Sequence, residues 1–212
     1  MRATRNRWAK TALCGFAVLS MTGSAYAGEV VHKLSGHAQN PVWSPTGKFL
    51  AFEVNELSSG SIKLFVAPMR GSIADQTLTV KLPGMSGPFG TKQSMVNSTW
   101  HPQGLLIFSG SNEEGKYRIY FTPPPKTTSA ELITKAQAPG DLSFPAVSGD
   151  AKMVAFVSDQ SGDGDVRIYD PSKGSVGQAT SSSGAEVYPA FTADNKHIVY
   201  NRKVNMHLDI YK

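Results

Sequence analysis

The sequence predicts an all-β protein: a β-propeller of four blades, each made of four antiparallel strands. Three observations carry this. A short pattern recurs four times, as NPVWSPTGKFLAF (40–52), NSTWHPQGLLIF (97–108), FPAVSGDAKMVAF (144–156) and YPAFTADNKHIVY (188–200). A downstream aromatic follows each anchor at a near-constant interval: Trp43 to Phe65 is 22, Trp100 to Tyr120 is 20, Val147 to Tyr169 is 22 and Phe191 to Tyr211 is 20. No stretch between these segments shows helical periodicity. Repeats of about 45 residues built from short strands are the signature of propeller blades.

Each repeat opens on a short strand ending at Trp43, Trp100, Val147 or Phe191. The chain then turns through SPTG, HPQG, SGDA or TADN, where proline at the second place and glycine at the fourth suit a type I turn. FLAF, LLIF, MVAF and HIVY follow, apolar on both faces, so each needs cover on both sides. The third strands are KLFV, RIYF, RIYD and DIYK. A more polar fourth strand follows the first three, as QTLTVKL (76–82), AELITK (130–135) and SVGQAT (175–180). The fourth repeat ends at Lys212 without one. The strand EVVHKLSG near the N-terminus lacks a hairpin partner, and pairing it beside LDIYK closes the ring and hides two sheet edges. The alternatives are part of a larger propeller, or two chains forming an eight-bladed ring; a monomer is expected over a homodimer.

Residues 1–27 read as a cleaved export signal. Arg2, Arg5, Arg7 and Lys10 precede an apolar stretch to about Met21, and Ala25-Tyr26-Ala27 supplies small residues at a cleavage point. The apolar stretch is too short to span a membrane. Residues 28–212 form a single propeller domain, with repeats near 40–82, 97–135, 144–180 and 188–212, plus 29–34. Cys14, the single cysteine, lies inside the signal, so the mature chain carries no disulfide or thiol chemistry. The chain has 21 Lys+Arg against 16 Asp+Glu, and removing the four signal cations leaves 17 against 16. Net charge therefore gives no argument for a nucleic-acid partner or an acidic surface.

These repeats resemble the TolB-type, WD40-like (PD40) propeller repeat. Trp43-Ser44-Pro45-Thr46-Gly47-Lys48 matches the family's W-S-P-D-G-K pattern, and the glycine turn with Ile168-Tyr169 matches its later part. The resemblance covers nearly all of the mature chain. It implies the fold and is unspecific for function; the export signal and a rigid scaffold without an assembled catalytic set lead to the expectation of a binding or scaffold protein of the bacterial cell envelope, periplasmic, with a protein or peptide partner. In other proteins the same repeats sit beside peptidase domains.

One loop carries candidate chemistry. DQSGDGDVRIYD (159–170) places oxygen side chains at alternate positions, a glycine sixth and an acid twelfth, close to a calcium loop. Asp170 falls at the end of a strand, too far along for that full geometry. A smaller calcium site from Asp159, Ser161 and Asp163 is one reading; a glycine-rich hairpin without metal is the other. His32, His37, His101, His197 and His207 are scattered over different blades, with no paired spacing. Ser35-Gly36-His37 resembles the Gly-His of WD repeats, where the histidine braces a blade. The sequence has no GxSxG elbow, SxxK or phosphate-binding glycine motif. PGMSGPFG (83–90) is a long loop of binding or disordered type, Pro123-Pro124-Pro125 stiffens a loop, and Asn97-Ser98-Thr99 is a sequon leading into a strand. Trp43 and Trp100 occupy equivalent positions, which points to packing between blades. A protein-binding module is the first expectation. The alternative is a saccharide-acting lyase or hydrolase whose acids and histidines converge in the channel.

Overall fold

The structure, a computed structural model, describes residues 36–69, 77–83, 93–124, 129–133 and 138–212. The export signal, the strand EVVHKLS and nearly all of the PGMSGPFG loop lie outside the described residues. The described residues belong to one compact unit.

Among the described residues fifteen strands make four antiparallel sheets. Blade one is β1 (His37–Trp43), β2 (Phe49–Glu56), β3 (Ser61–Pro68) and β4 (Leu78–Thr79). Blade two is β5 (Met95–Trp100), β6 (Leu106–Ser111), β7 (Tyr117–Thr122) and β8 (Glu131–Leu132). Blade three is β9 (Leu142–Val147), β10 (Val154–Ser158), β11 (Asp165–Asp170) and β12 (Ser175–Gln178). Blade four has β13 (Glu186–Phe191), β14 (Ile198–Val204) and β15 (His207–Tyr211). In all four blades the first strand ends at the predicted anchor. This is the four-bladed propeller arrangement that the repeats predict. No helix among the described residues is long and apolar enough to cross a membrane.

The four turns after the anchors share one geometry. The fourth residue of each donates its N–H to the carbonyl of the first, at 2.8 to 2.9 Å, for Gly47, Gly104, Ala151 and Asn195. All four have positive φ. That explains glycine at this place in two repeats. The first turn residue adds a side-chain staple. Ser44, Ser148 and Thr192 accept, at the hydroxyl, the N–H of the residue five later: Phe49 at 3.0 Å, Met153 at 2.9 Å and His197 at 3.1 Å. Blade two has His101 there instead, and its Nδ1 accepts the Gln103 N–H.

Opposed residues in an antiparallel pair share a face, and this alternation builds the layers between blades. Ala51, Leu64 and Val66 of blade one meet Leu106, Phe108 and Tyr120 of blade two. Trp100 joins them, buried, stacking with Phe49 at 6.4 Å and donating its indole N–H to the Val42 carbonyl at 3.0 Å. Ile107 and Ile119 of blade two meet Leu142, Phe156 and Tyr169 of blade three, with Val147 packed against them. Strands β6 and β10 are buried at every residue, as expected for strands covered on both faces. Strand β14 is only half-buried. Its far face continues through Leu208 and Ile210, which are 52% and 78% exposed. Trp43 is 56% exposed for the same reason. Its equivalents pack toward the preceding blade, and no described blade precedes the first.

Candidate functional site

The first strands sit at the centre, and one local distortion places side chains there. Each first strand carries a bulge against its neighbour, between Gln39 and Val42, Val96 and Thr99, Ser143 and Ala146, and Val187 and Ala190. Inside each bulge one non-glycine residue has positive φ: Asn40 at 50°, Asn97 at 56°, Phe144 at 52° and Tyr188 at 55°. These are the same position of the repeat, three residues before the anchor. Asparagine tolerates this conformation, whereas for Phe144 and Tyr188 it is a true outlier. Such strain is of order 1–3 kcal/mol per residue. It persists because the surrounding ladder fixes it on both sides.

The four bulge residues line one central cavity of about 570 Å³. Asn40, Asn97, Ser98 and Thr99 form one side, and Phe144, Pro145, Tyr188 and Pro189 the other. Phe144 and Tyr188 meet edge to face with centroids 4.5 Å apart. Tyr188 is 59% exposed, so its ring offers free surface at the mouth. Behind the amide side lies Glu53, buried. Its carboxylate accepts from Gln39 Nε2 at 3.2 Å, Asn40 Nδ2 at 2.8 Å and the Asn97 backbone N–H at 2.7 Å. One blade-one carboxylate thus orients the Asn40 amide and ties down the blade-two bulge. No carboxylate, histidine, lysine or arginine is among the described residues lining this cavity.

The aspartate loop lies elsewhere. Asp159 to Ser161 forms a short 3-10 turn, with Ser158 as its N-cap. Asp159 Oδ1 accepts the Asp141 N–H at 2.6 Å, and a side chain at Gly140 would collide with it, its Cβ falling 2.5 Å away. Asp163 Oδ2 accepts the Gly184 N–H at 3.4 Å. The two aspartates reach the chain segments entering β9 and β13 respectively. Asp170 sits at the far end of β11, where Ser172 and Lys173 engage it. Among the described residues no three His, Cys, Asp or Glu side chains are grouped to hold a metal.

The histidines do not converge. His37 begins β1 opposite Asn55, His101 serves its turn, His207 begins β15, and His32 lies outside the described residues. His197 lines a second cavity, about 500 Å³, between blades three and four. Val166, Ile168, Phe191, Ile198 and Tyr200 form most of its wall, with Lys212 at its edge. Burial, and then the Glu186 charge, pushes the Tyr200 phenol pKa up. Glu186 is itself buried and accepts from Thr180, Ser182 and the Val166 N–H.

Sequence reasoning located the repeat but missed the bulge residues. The signal was present: Asn40, Asn97, Phe144 and Tyr188 align, and three precede proline. Only the three-dimensional ring shows that they converge.

No protein-family model and no curated protein matches the chain. Solved structures do. A structure assigned as TolB from Agrobacterium tumefaciens superposes with a TM-score of 0.67 at 20% identity, over 86% of this chain and 60% of that one. TolB from Acinetobacter baumannii gives 0.62 at 19%, over 82% and 41%. Oligogalacturonate lyase from Vibrio parahaemolyticus gives 0.60 at 14%, over 86% and 50%. The chain therefore has the β-propeller fold of TolB, and it spans less than two thirds of each of these chains.

Proposed function

We propose that this chain is an exported, periplasmic β-propeller of the bacterial cell envelope that binds a protein or peptide segment at its central channel and acts as a scaffold. The observation that carries the reading is the ring of four equivalent bulge residues. It assembles two amides and two aromatic rings around one cavity and brings no titratable acid–base pair. A cavity of this kind suits a neutral segment whose apolar side chain packs on Tyr188 and Phe144 while its backbone bonds the asparagine amides. The TolB-like fold and the export signal support the envelope address. A saccharide-acting lyase or hydrolase is the second reading, and the described residues lining the cavity include no carboxylate or histidine to favour it.

The test is capture from envelope extracts by crosslinking, run with calcium and with chelator. Full-length protein, Tyr188→Ala and the surface control Glu113→Ala are compared. The expected result is one specific envelope protein captured by the first and third, with Tyr188→Ala weakening capture roughly 30-fold, as for an aromatic hot spot worth about 2 kcal/mol. Equal capture by all three overturns the channel site. Capture only with calcium assigns a cation to Asp159, Ser161 and Asp163; equal capture in both conditions leaves the loop as a tie between segments.

A further inference from the structure

We infer that the cavity between blades three and four binds an amphipathic carboxylate: a straight aliphatic chain lies in the slot, and its anionic end is held by Lys196, His197 and Lys212. The inference does not depend on the channel reading, since Phe191 is the one described residue that lines both cavities.

Two sheet faces make the walls. Alternation puts Val166 and Ile168 on one face of β11, and Ile198 and Tyr200 on one face of β14. Both pairs line the cavity, and Phe191, paired with Ile198, joins the second wall. The layers between blades one and two and between blades two and three are filled by buried side chains. Here about 500 Å³ is left open. Small-molecule sites occupy about 300–1,000 Å³.

The two ends of the cavity differ in charge. At the Val166 end the polar groups are spent. Thr180 donates its hydroxyl to the buried Glu186 and accepts the Val166 N–H at 2.8 Å. It offers no donor to a ligand, and the Glu186 charge behind it repels an anion. The other end is the turn between β13 and β14. The Asn195 side-chain carbonyl accepts the Gly149 N–H at 2.7 Å, which holds the turns of blades three and four together, away from Val166. This turn brings Lys196 and His197, both exposed, to the cavity. Tyr200 lies opposite Tyr211, so Lys212 falls beside the start of β14, at the same end.

No Asp or Glu side chain is among the described residues lining the cavity. Neither lysine is in an ion pair among the described residues. Asp194, in the same turn, lies outside the lining. It accepts the Thr192 hydroxyl at 2.6 Å and the Lys196 N–H at 3.1 Å, and its charge acts on His197. An apolar slot with cations gathered at one mouth matches one apolar chain with one anionic end. A neutral chain leaves the cations unused, and a polyanion finds no donors deeper in.

The test is titration calorimetry on the full chain with hexanoate, octanoate, decanoate and 1-octanol. Each added methylene is expected to tighten carboxylate binding about threefold. Octanoate should bind about fivefold tighter than 1-octanol. Lys196→Met combined with Lys212→Met should weaken octanoate about fivefold, as for exposed charge pairs, and leave 1-octanol unchanged. Ala179→Trp, at an exposed position lining the cavity, should fill the slot and abolish binding. Tyr188→Ala, in the channel, should change nothing. If Ala179→Trp fails to fold, the lysine variant and the alcohol decide. No binding by the native chain overturns the inference. So does equal affinity for octanoate and 1-octanol, an unchanged affinity in the lysine variant, or loss of binding through Tyr188→Ala.

Discussion

At the scale of single residues, the repeated turn explains both its consensus and its exceptions. Positive φ at the fourth place is free for glycine and costs other residues about 1–2 kcal/mol. Ala151 has φ 63° there. We predict that Ala151→Gly raises stability by up to ~1 kcal/mol, because relief of the strain exceeds glycine's added chain entropy; the urea midpoint checks this. In the same turn the Ser148 hydroxyl bond, with smaller help from the Lys152 N–H and charge, holds the Asp150 carboxyl below its usual value of 3.8. A depressed carboxylate contributes stability above its unfolded pKa and loses it as the pH falls through the folded value. Asp150→Asn is therefore expected to flatten the loss of stability between about pH 5 and pH 2, read by urea titrations across that range. A parallel slope in both proteins would refute it.

At the scale of the strand and its blade, the two equivalent tryptophans are a built-in comparison. Trp100 is sealed between blades one and two and bonds the Val42 carbonyl. Trp43 occupies the same repeat position on a face with no described neighbour. Trp100→Ala is expected to cost about 3–5 kcal/mol, whereas Trp43→Ala should change stability by less than about 0.5 kcal/mol. Equal losses in denaturant titrations would mean that Trp43 is covered in solution. Glu53 links blades rather than strands. Glu53→Ala orphans the Asn97 N–H beside the channel, a loss of about 1–3 kcal/mol, measured as a fall in the unfolding free energy.

At the scale of the whole molecule, four ordinary strand distortions become one cavity because a propeller turns each repeat about a common centre. Equivalent residues far apart in sequence then face one another: Asn40, Asn97, Phe144 and Tyr188 span almost 150 positions of chain. The repeat supplies a rigid frame and leaves only the identity of the bulge residue to vary. That variation gives the cavity an amide side and an aromatic side. Tyr188→Ala is the variant that separates this binding role from the frame, since its side chain is more than half exposed and supports little packing.

The sequence by itself determined the strand order and the four turns, because alternation, anchors and turn residues act over a few neighbours in the chain. It also made Trp43 and Trp100 legible as interblade packing residues, which holds for Trp100. The uses of Asp159 and Asp163 toward the segments before β9 and β13 were not legible, since hydrogen bonds to backbone amides 18 and 21 residues away leave no local pattern. The cavity was hidden for a related reason. A left-handed bulge residue reads as a turn former or a stray aromatic until the blades are set side by side. Only the tertiary structure decided which side chains share that space, because convergence at a propeller's axis depends on the twist and packing of whole blades and not on any spacing within one.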